Sequence, residues 1–247
     1  MTSPRPPYPL YDVTVRSVLS VTPHMQRITV DGSGLTSLRA NLPAQWLKVF
    51  IPATDGSLSG GRAYTVRHFD PRTGALAIDF VLHGDNGPLS AWAARAQEGD
   101  RLEISEAHPR SGFIIDPTVR HYLLFGDETA LPAIGAILEA LPDDITAQVF
   151  VEVCDVTAEQ VMKSSAQISL RWLHRQGADS GLSLLLQAAA EAVHSPDPAT
   201  AVWVAAESAQ VIAIRRLLRE REIDKGSVHA SGYWKRGEAD HKDESLN

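Results

Sequence analysis

The hydrophobic pattern of this 247-residue chain changes near Pro117, and this change limits the folds that the chain can adopt. Before Pro117, short runs of alternating apolar and polar residues are separated by turn signals such as Asp31-Gly32-Ser33-Gly34. Six runs are predicted as strands: Tyr11 to Val18, Met25 to Val30, Trp46 to Pro52, Tyr64 to Phe69, Ala75 to Leu82 and Asp100 to Ser105. Short strands joined by turns are typical of an antiparallel barrel or sandwich.

After Pro117, apolar strands alternate with helical segments, which is typical of a parallel α/β sheet. Strands are predicted at His121 to Gly126, Ala147 to Val153, Ile168 to Leu173, Ala201 to Ala206 and Ser227 to Trp234. Helices are predicted at Ala133 to Leu141, Glu159 to Lys163, Leu182 to Val193 and, with Ser208 as N-cap, Ser208 to Arg221. The predicted domains are therefore residues 1–117 and 118–237, followed by a charged tail at residues 238–247.

The net charge of −7 and the single cysteine exclude several classes of protein. An acidic chain is a poor general nucleic-acid binder, so any basic site must be local. Cys154 alone cannot form a disulfide framework, a cysteine-ligated zinc site or an iron–sulfur cluster with four cysteine ligands. The N-terminus has no apolar signal core, and no stretch approaches about 18 apolar residues. We therefore expect a cytoplasmic protein without an integral membrane segment. A monomer is expected as well, but no feature of the sequence specifies the oligomeric state.

The strand that begins at Arg62 carries side chains suited to a flat, anionic cofactor. It reads Arg62-Ala63-Tyr64-Thr65-Val66-Arg67 and follows a Gly/Ser-rich loop at residues 55–61. In a strand, Tyr64 and Val66 lie on one face, and Thr65 and Arg67 lie on the other. Either arginine can pair with a phosphate, Tyr64 can stack on a ring, and Thr65 can hydrogen-bond the ring edge. The alternative is an ordinary half-buried strand whose arginines extend into solvent.

The segment from His83 to Ala96 predicts a second anion site. The loop His83-Gly84-Asp85-Asn86-Gly87-Pro88-Leu89-Ser90 leads into a helix at Ala91 to Ala96, with Pro88 near its first turn. Free backbone N–H groups and the positive end of the helix dipole can hold a phosphate there. The alternative is a helix that only connects two strands of a barrel.

The carboxyl ends of the C-terminal strands are where an open α/β sheet binds its ligand. They carry Gly126-Asp127-Glu128-Thr129, Glu152-Val153-Cys154-Asp155 and Ala206-Glu207-Ser208. The first of these turns lacks the G-x-G-x-x-G dinucleotide fingerprint, and the acidic residues disfavour phosphate. On these grounds the ligand of the C-terminal half stays open.

Several motifs together resemble those of siderophore-interacting proteins, which are FAD-dependent ferric-siderophore reductases of the ferredoxin-reductase superfamily. The resemblance covers about Tyr11 to Gly237. The motifs are Arg62 to Arg67, Asp79 to Gly84, Gly87 to Ala93, Gly126 to Ile134 and Gly232 to Gly237. The R-x-Y-T element belongs to the whole superfamily, whereas the others are more specific. The resemblance implies an N-terminal six-stranded antiparallel FAD-binding barrel followed by a C-terminal parallel α/β nucleotide-binding domain.

The resemblance also implies roles for individual residues. Tyr64 would stack on the isoalloxazine ring, Thr65 would approach its reactive edge, and Arg62 would meet the FAD phosphates with help from Arg67. The pyrophosphate and adenosine side would be held by His83, Gly84, Gly87, Pro88, Leu89 and Ser90, although the family usually has a smaller residue in place of Leu89. The α/β domain would bind NADH or NADPH, and the residues near the entry of the nicotinamide would be Asp127, Glu128 and Thr129.

The implied reaction passes electrons from NAD(P)H through FAD to Fe(III) in a siderophore and releases Fe(II) for intracellular use. An anionic ferric siderophore needs a local basic patch on an acidic protein, and the candidates are Lys48, Lys235 and Arg236. The alternative for these residues is solvated charge at a barrel rim. The histidines are scattered and form no visible metal-ligand set, so iron is expected to arrive inside the substrate.

Other functions stay open from the sequence. Another flavin reductase of the superfamily would share the FAD residues but would not need the basic patch. A siderophore-binding or release protein would not turn over NAD(P)H, and a binding module would carry no flavin. The nucleotide also stays open, because NADPH needs a basic site for its extra phosphate. Arg171 and Arg175 favour NADPH, whereas Glu152 and Asp155 argue against it.

Overall fold

The computed structural model of the chain describes residues 2–3, 6, 8–53, 57–83, 87–176, 183–194 and 197–238. Contacts within the chain divide it into two compact units, Met1–Ile114 and Ile115–Asn247. Each unit has a hydrophobic core of its own. Among the helices of the described residues, none is long and apolar enough to cross a membrane.

The first unit is a closed six-stranded barrel. Its strands are β2 (Leu10–Thr22), β3 (Met25–Asp31), β4 (Trp46–Phe50), β6 (Arg62–Asp70), β7 (Ala75–Val81) and β8 (Arg101–Ser105). They follow the order β2-β3-β7-β6-β4-β8 around the barrel, and neighbouring strands run antiparallel. Two short strands, β1 (Thr2–Ser3) and β5 (Leu58–Ser59), pair outside it. The structure therefore confirms the six predicted strands and selects the barrel over the sandwich.

Alternation along each strand builds the barrel core. In β4, Leu47 and Val49 are buried, whereas Trp46 and Lys48 on the other face are partly exposed. The same period of two was the basis for predicting these strands. The helix α1 (Pro88–Ala93) has six residues and packs Leu89, Trp92 and Ala93 into this core. This helix begins at Pro88, which the sequence places near its first turn, and ends at Ala93, three residues before the predicted end.

The second unit is a five-stranded parallel sheet with helices. Its strands are β9 (His121–Asp127), β10 (Thr146–Val153), β11 (Gln167–His174), β12 (Thr200–Glu207) and β13 (Val228–Trp234). Its helices are α2 (Leu131–Ala140), α3 (Leu184–Ala192) and α4 (Ser208–Glu220). The strand order is β11-β10-β9-β12-β13, so the chain reverses its direction of winding between β9 and β12. The carboxyl ends of β9 and β12 therefore flank the point where such sheets bind ligands.

Two local predictions in the second unit are wrong. The segment predicted as a helix at Glu159 to Lys163 has no regular structure, and the β10–β11 connection contains only a short 3-10 turn at Val156–Ala158. The N-cap of α4 is Glu207 rather than Ser208, because the Glu207 carboxylate accepts the N–H groups of residues 209 and 210. The predicted start of α3 at position 182 lies outside the described residues.

Candidate functional site

Tyr64 lies on β6 beside aromatic residues of β7 and α1. Its ring centroid is 4.4 Å from that of Phe80, at an interplanar angle of 42°. Phe80 in turn meets Trp92 edge-on, with 5.9 Å between ring centroids. Phe80 is fully buried, so it holds the Tyr64 ring in place from behind. Burial raises the pKa of the Tyr64 hydroxyl well above its ordinary value, so this phenol is neutral at physiological pH.

The hydroxyl groups of Tyr64 and Thr65 are open to an external partner. Neither makes a hydrogen bond to another residue in the part of the chain that the structure describes. Thr65 is nevertheless buried, and buried hydroxyls are normally hydrogen-bonded. A supported aromatic ring, followed on the same strand by a buried threonine hydroxyl, fits a flat ring with polar edge atoms, as the isoalloxazine of FAD has.

The two arginines of the β6 motif have different surroundings. The Arg62 guanidinium lies 3.3 Å from the carbonyl oxygens of residues 60 and 61, at the end of the Gly/Ser-rich loop. Arg67 Nε lies 3.9 Å from a carboxylate oxygen of Asp79. Asp79 is bound more closely by Arg27, through two parallel bonds of 2.6 and 2.7 Å. The contact of Arg27 could not be predicted from the sequence, because only the pairing of β3 with β7 brings this residue to Asp79.

Ser90 joins the end of β7 to the start of α1. Its hydroxyl accepts a bond of 3.1 Å from the His83 backbone N–H and donates one of 3.4 Å to the Val81 carbonyl. Ser90 is buried, so this hydroxyl shapes the turn rather than facing a ligand. The His83 side chain itself is exposed.

The rest of the predicted anion turn is only partly described. Leu89 belongs to the barrel core, so only its backbone can face a phosphate. Gly87 is the N-cap of α1 and, as a glycine, has no side chain that could cap the helix. Pro88 follows it. Gly84 lies outside the described residues. The proximity of these residues at one helix start agrees with the predicted phosphate turn, whose role stays a prediction.

Asp127 ends β9 and is almost completely buried, with 2% of its surface exposed. One carboxylate oxygen accepts the Thr129 backbone N–H at 2.9 Å and the Thr129 hydroxyl at 2.6 Å. The other accepts the Glu207 backbone N–H at 3.0 Å and the Trp234 indole N–H at 2.7 Å. Asp127 was predicted near the nicotinamide, yet its carboxylate is occupied by four donors from three chain segments.

Glu128, the next predicted residue, forms an ion pair with Arg175. Arg175 also lies 3.4 Å from a carboxylate oxygen of Glu152, which is buried at the end of β10. Two carboxylates therefore share the charge of Arg175, one of the two arginines considered for the extra phosphate of NADPH. The other, Arg171, pairs with Glu191 at 2.7 Å on the surface.

Lys48 lies in the first unit, beside a stacked pair of rings on the outer face of β4. The rings of Trp46 and His108 are 4.3 Å apart and inclined by 15°. Burial, together with the charges of Arg110 and Lys48, lowers the pKa of His108. His108 is therefore neutral at physiological pH, and the positive charge of this surface comes from Lys48 and Arg110.

Lys235 and Arg236 lie in the second unit, directly after β13, and both are exposed. Lys235 Nζ lies 2.7 Å from a carboxylate oxygen of Glu238, and this hydrogen bond raises the pKa of Lys235. The backbone N–H of Arg236 donates to Glu207 at 3.3 Å. The three residues of the predicted basic patch are thus divided between the two units, so their joint action stays a prediction.

A cavity of about 580 Å³ lies in the second unit, at the amino ends of its parallel strands. Its wall includes the first residues of β9, β10 and β12, namely His121, Thr146 and Thr200. Ligands of open α/β sheets bind beyond the carboxyl ends instead. We therefore do not assign the cavity to the predicted nucleotide site.

Comparison with known proteins places the chain in a family. Residues 119–237 match the siderophore-interacting protein family, and residues 14–60 and 59–111 match the siderophore-interacting FAD-binding domain. The chain belongs to the siderophore-interacting protein family. This confirms the resemblance drawn from the motifs, and with it the expectation of an FAD-binding domain.

Members of the siderophore-interacting protein family include relatives of different lengths. The chain is 32% identical to the ferric vibriobactin reductase ViuB of Vibrio cholerae over 238 residues, which cover 88% of the chain and 86% of ViuB. It is 29% identical to the mycobactin import ATP-binding/permease protein IrtA of Mycobacterium tuberculosis over 234 residues. That match covers 93% of the chain but only 26% of IrtA.

Solved structures agree with this family and confirm the fold. A siderophore utilization protein from T. fusca matches with a TM-score of 0.84 and 37% identity, covering 96% of this chain and 97% of that one. A ferredoxin NADP+ reductase from Neisseria gonorrhoeae, solved with FAD and NADP, matches with a TM-score of 0.71 and 15% identity, covering 91% and 99%. At that identity the second likeness shows the fold alone, and the predicted ferredoxin-reductase-like fold is confirmed.

Asp127 should make the stability of this family member depend on pH. Burial raises the pKa of its carboxyl from 3.8 to about 6, although the bonds from Thr129 and Trp234 oppose the rise. A raised pKa in the folded state stabilises the protein below pH 3.8, and this contribution is lost as the pH rises through about 6. We expect the free energy of unfolding to fall by up to about 3 kcal/mol across this range because of Asp127.

Urea unfolding of the wild type and of Asp127→Asn at several pH values measures this contribution. All other carboxyl groups titrate in both proteins, so the difference between the two pH curves isolates Asp127. The variant should lose less stability than the wild type between the two pKa values. Parallel curves would show that Asp127 titrates normally in the folded protein.

Proposed function

We propose that the protein is an NAD(P)H-dependent, FAD-containing ferric-siderophore reductase, which passes electrons to siderophore-bound Fe(III) and releases Fe(II). The observation that carries this proposal is the supported Tyr64 ring, together with Tyr64 and Thr65 hydroxyls that make no hydrogen bond to the described residues. Similarity to ViuB, a ferric vibriobactin reductase, over most of both chains supports the choice of acceptor. A cytoplasmic, monomeric enzyme belongs to the same proposal.

The first unit would hold the cofactor. FAD, when bound, supplies the chemistry that accepts a hydride and releases single electrons. Tyr64 would orient the flavin ring, Thr65 would hydrogen-bond its edge, and Arg62 would pair with phosphate. The first turn of α1, from Gly87 to Ser90, would offer backbone N–H groups to the pyrophosphate, with His83 and Gly84 nearby. Arg67 would add positive charge, although Asp79 already offsets part of it.

The second unit would bind the nucleotide at the carboxyl ends of β9 and β12. Glu128 and Thr129 are partly exposed there, so they are better placed than buried Asp127 to meet the nicotinamide. Lys48, Lys235 and Arg236 would attract the anionic ferric siderophore from solution. The chain offers this attraction locally, because its net charge is −7.

A second candidate is a flavin reductase of the same fold with a different acceptor. The ion pair between Lys235 and Glu238 favours it, because Glu238 cancels one of the charges proposed for the siderophore. This candidate keeps every FAD residue and drops the need for the basic patch. It therefore differs from the first only in the second half of the reaction.

An anaerobic absorbance titration tests the proposal. The purified protein is reconstituted with FAD, reduced with NADH or NADPH, and then given a ferric catecholate siderophore with an Fe(II) trap. Bleaching by the nucleotide, followed by reoxidation and trapped Fe(II), is the expected result. Flavin that bleaches but ignores the siderophore would favour the second candidate. Flavin that stays oxidised would indicate a binding or release protein, and failure to bind FAD would overturn the assignment of Tyr64 and Thr65.

Replacing Arg236 with alanine should weaken the capture of the substrate. Arg236 is exposed, and in the sequence it is far from every residue assigned to FAD. KM for an anionic ferric siderophore should therefore rise about fivefold, while kcat changes less. Arg216→Ala is the matched control, because Arg216 is an exposed arginine of α4 that pairs with Glu220. Steady-state kinetics with an Fe(II) trap gives both constants. An unchanged KM would remove Arg236 from the substrate patch.

A further inference from the structure

The segment from Trp234 to Arg236 is fixed to the sheet at three points. The Trp234 indole N–H donates to Asp127 at 2.7 Å, and the Trp234 carbonyl accepts the Ser208 hydroxyl at 3.0 Å. The Arg236 backbone N–H donates to Glu207 at 3.3 Å. The partners belong to the end of β9 and to the β12–α4 junction. The position of the segment therefore depends on both of these parts of the sheet.

A β-bulge sets the direction of Trp234. The pairing of β12 with β13 runs regularly to Ala206 and Gly232, and then Glu207 pairs with Trp234, so Tyr233 is the extra residue. Bulges re-aim side chains at the ends of strands. At this bulge the chain passes close to α4, because a Cβ on Gly232 would lie only 2.4 Å from the Ser208 hydroxyl. The indole N–H consequently turns inward to Asp127.

The ring of Trp234 remains accessible. Trp234 is 37% exposed, although its polar atom is bonded inside the protein. An aromatic ring with a fixed orientation therefore lies next to two exposed cationic residues: Arg236, and Lys235, whose charge Glu238 partly offsets. Such a surface suits a planar aryl group that carries negative charge, because the ring packs on its face while the cations pair with its oxygens.

We propose that Trp234 contacts the aryl part of the ferric siderophore and that Asp127 is the residue that positions Trp234 for this contact. This inference rests on the proposed reductase function and assigns to Asp127 a role other than nucleotide binding. A carboxylate that is 2% exposed and accepts four hydrogen bonds has no surface left for a nucleotide. Its bond to the indole instead connects the end of β9 with the segment from Trp234 to Arg236.

Two substitutions and their combination test the connection between the two side chains. Trp234→Phe keeps an aromatic ring but removes the indole N–H, and Asp127→Asn converts one carboxylate oxygen into a donor that cannot accept. The double variant completes the cycle. Asp116→Asn is the matched control, because Asp116 makes the same pair of bonds to Thr118 that Asp127 makes to Thr129, at 2.8 and 2.6 Å.

The readout is the dissociation constant of ferric tris(2,3-dihydroxybenzoate) from the oxidised protein, measured by calorimetry. Each single variant should weaken binding about tenfold, which corresponds to about 1.4 kcal/mol. The double variant should also weaken it about tenfold rather than about a hundredfold, because both changes break one connection. Ferrioxamine B, which has no aryl group, should bind all variants equally, and Asp116→Asn should match the wild type.

NADH-driven reduction of ferricyanide separates failure of this inference from failure of the proposed function. Variants that reduce ferricyanide normally but bind the aryl complex tenfold more weakly support the inference. An unchanged dissociation constant in Trp234→Phe overturns it, even if Asp127→Asn does not fold. The inference would also be overturned if the double variant weakened binding by the product of the two single effects, or if Asp127→Asn raised KM for NADH. A wild type that reduces ferricyanide but releases no Fe(II) from any ferric siderophore would instead refute the reductase proposal.

Discussion

Replacing Tyr64 with alanine is expected to weaken FAD binding about a hundredfold, which corresponds to about 2.7 kcal/mol. The Tyr64 ring is supported by Phe80 at 4.4 Å, and its hydroxyl has no partner among the described residues. Removing the ring would therefore take away both a stacking surface and a hydrogen-bonding group from the flavin. The reference measurement is a fluorescence titration of the apoprotein with FAD, which gives the dissociation constant directly.

Tyr64→Phe is the matched control for this result. It preserves the ring and its contact with Phe80 but removes the hydroxyl. The dissociation constant of FAD should therefore rise by less than about tenfold relative to the wild type. The two variants together divide the effect between the ring and the hydroxyl. If Tyr64→Ala binds FAD as tightly as the wild type, Tyr64 does not stack on the flavin and another aromatic residue must do so.

Replacing Gly126 with alanine is expected to lower the free energy of unfolding by about 3 kcal/mol, through overpacking of a rigid core. A Cβ at this position would lie 2.6 Å from the Ala130 side chain, 2.8 Å from Ile134 and 3.2 Å from the Ala205 carbonyl. These neighbours belong to the turn after β9, to α2 and to β12, so none can move without disturbing the sheet. Gly126 is glycine because the chain that follows β9 folds back closely over it.

Urea unfolding followed by circular dichroism measures this effect, and Gly226→Ala is its control. Among the described residues, a Cβ at Gly226 would meet only the carboxylate of Asp224, which is exposed and can move away. The control should therefore change stability by less than about 0.5 kcal/mol. Equal stabilities of Gly126→Ala and the wild type would mean that the turn after β9 relaxes at little cost.

The strands could be predicted from the sequence because each carries its own signal. Leu47 and Val49 alternate with Trp46 and Lys48, and this period of two survives in the folded barrel. For the segment from Glu159 to Lys163 the sequence predicts a short helix that the structure does not contain. In the structure, Ser164 bonds to the Leu138 carbonyl at 2.6 Å, and Ala158 and Ala166 are buried. These contacts tie the connection to the rest of the unit at both ends, and they cannot be predicted from the local sequence.

The candidate site divides in the same way. The motif around Tyr64 is local, so its ring and hydroxyls were recognised within six residues of sequence. The bonds of Asp127 span 80 residues to Glu207 and 107 residues to Trp234. Ser90 shows the converse, because a residue expected to hold the cofactor uses its hydroxyl to join β7 to α1. Burial and pairing decide which polar groups face a ligand, and both arise only after folding.

The long-range bonds of Asp127 also bear on how the second unit forms during synthesis. When β9, β10 and β11 have left the ribosome, one edge of β9 still lacks its neighbour β12. At that stage the Asp127 carboxylate lacks the donors of Glu207 and Trp234, which are made 80 and 107 residues later. Enclosing the carboxylate without these donors would be costly, so its buried site forms only once β12 and β13 are both in place. We expect the second unit to fold in one cooperative step, only after Trp234 has emerged.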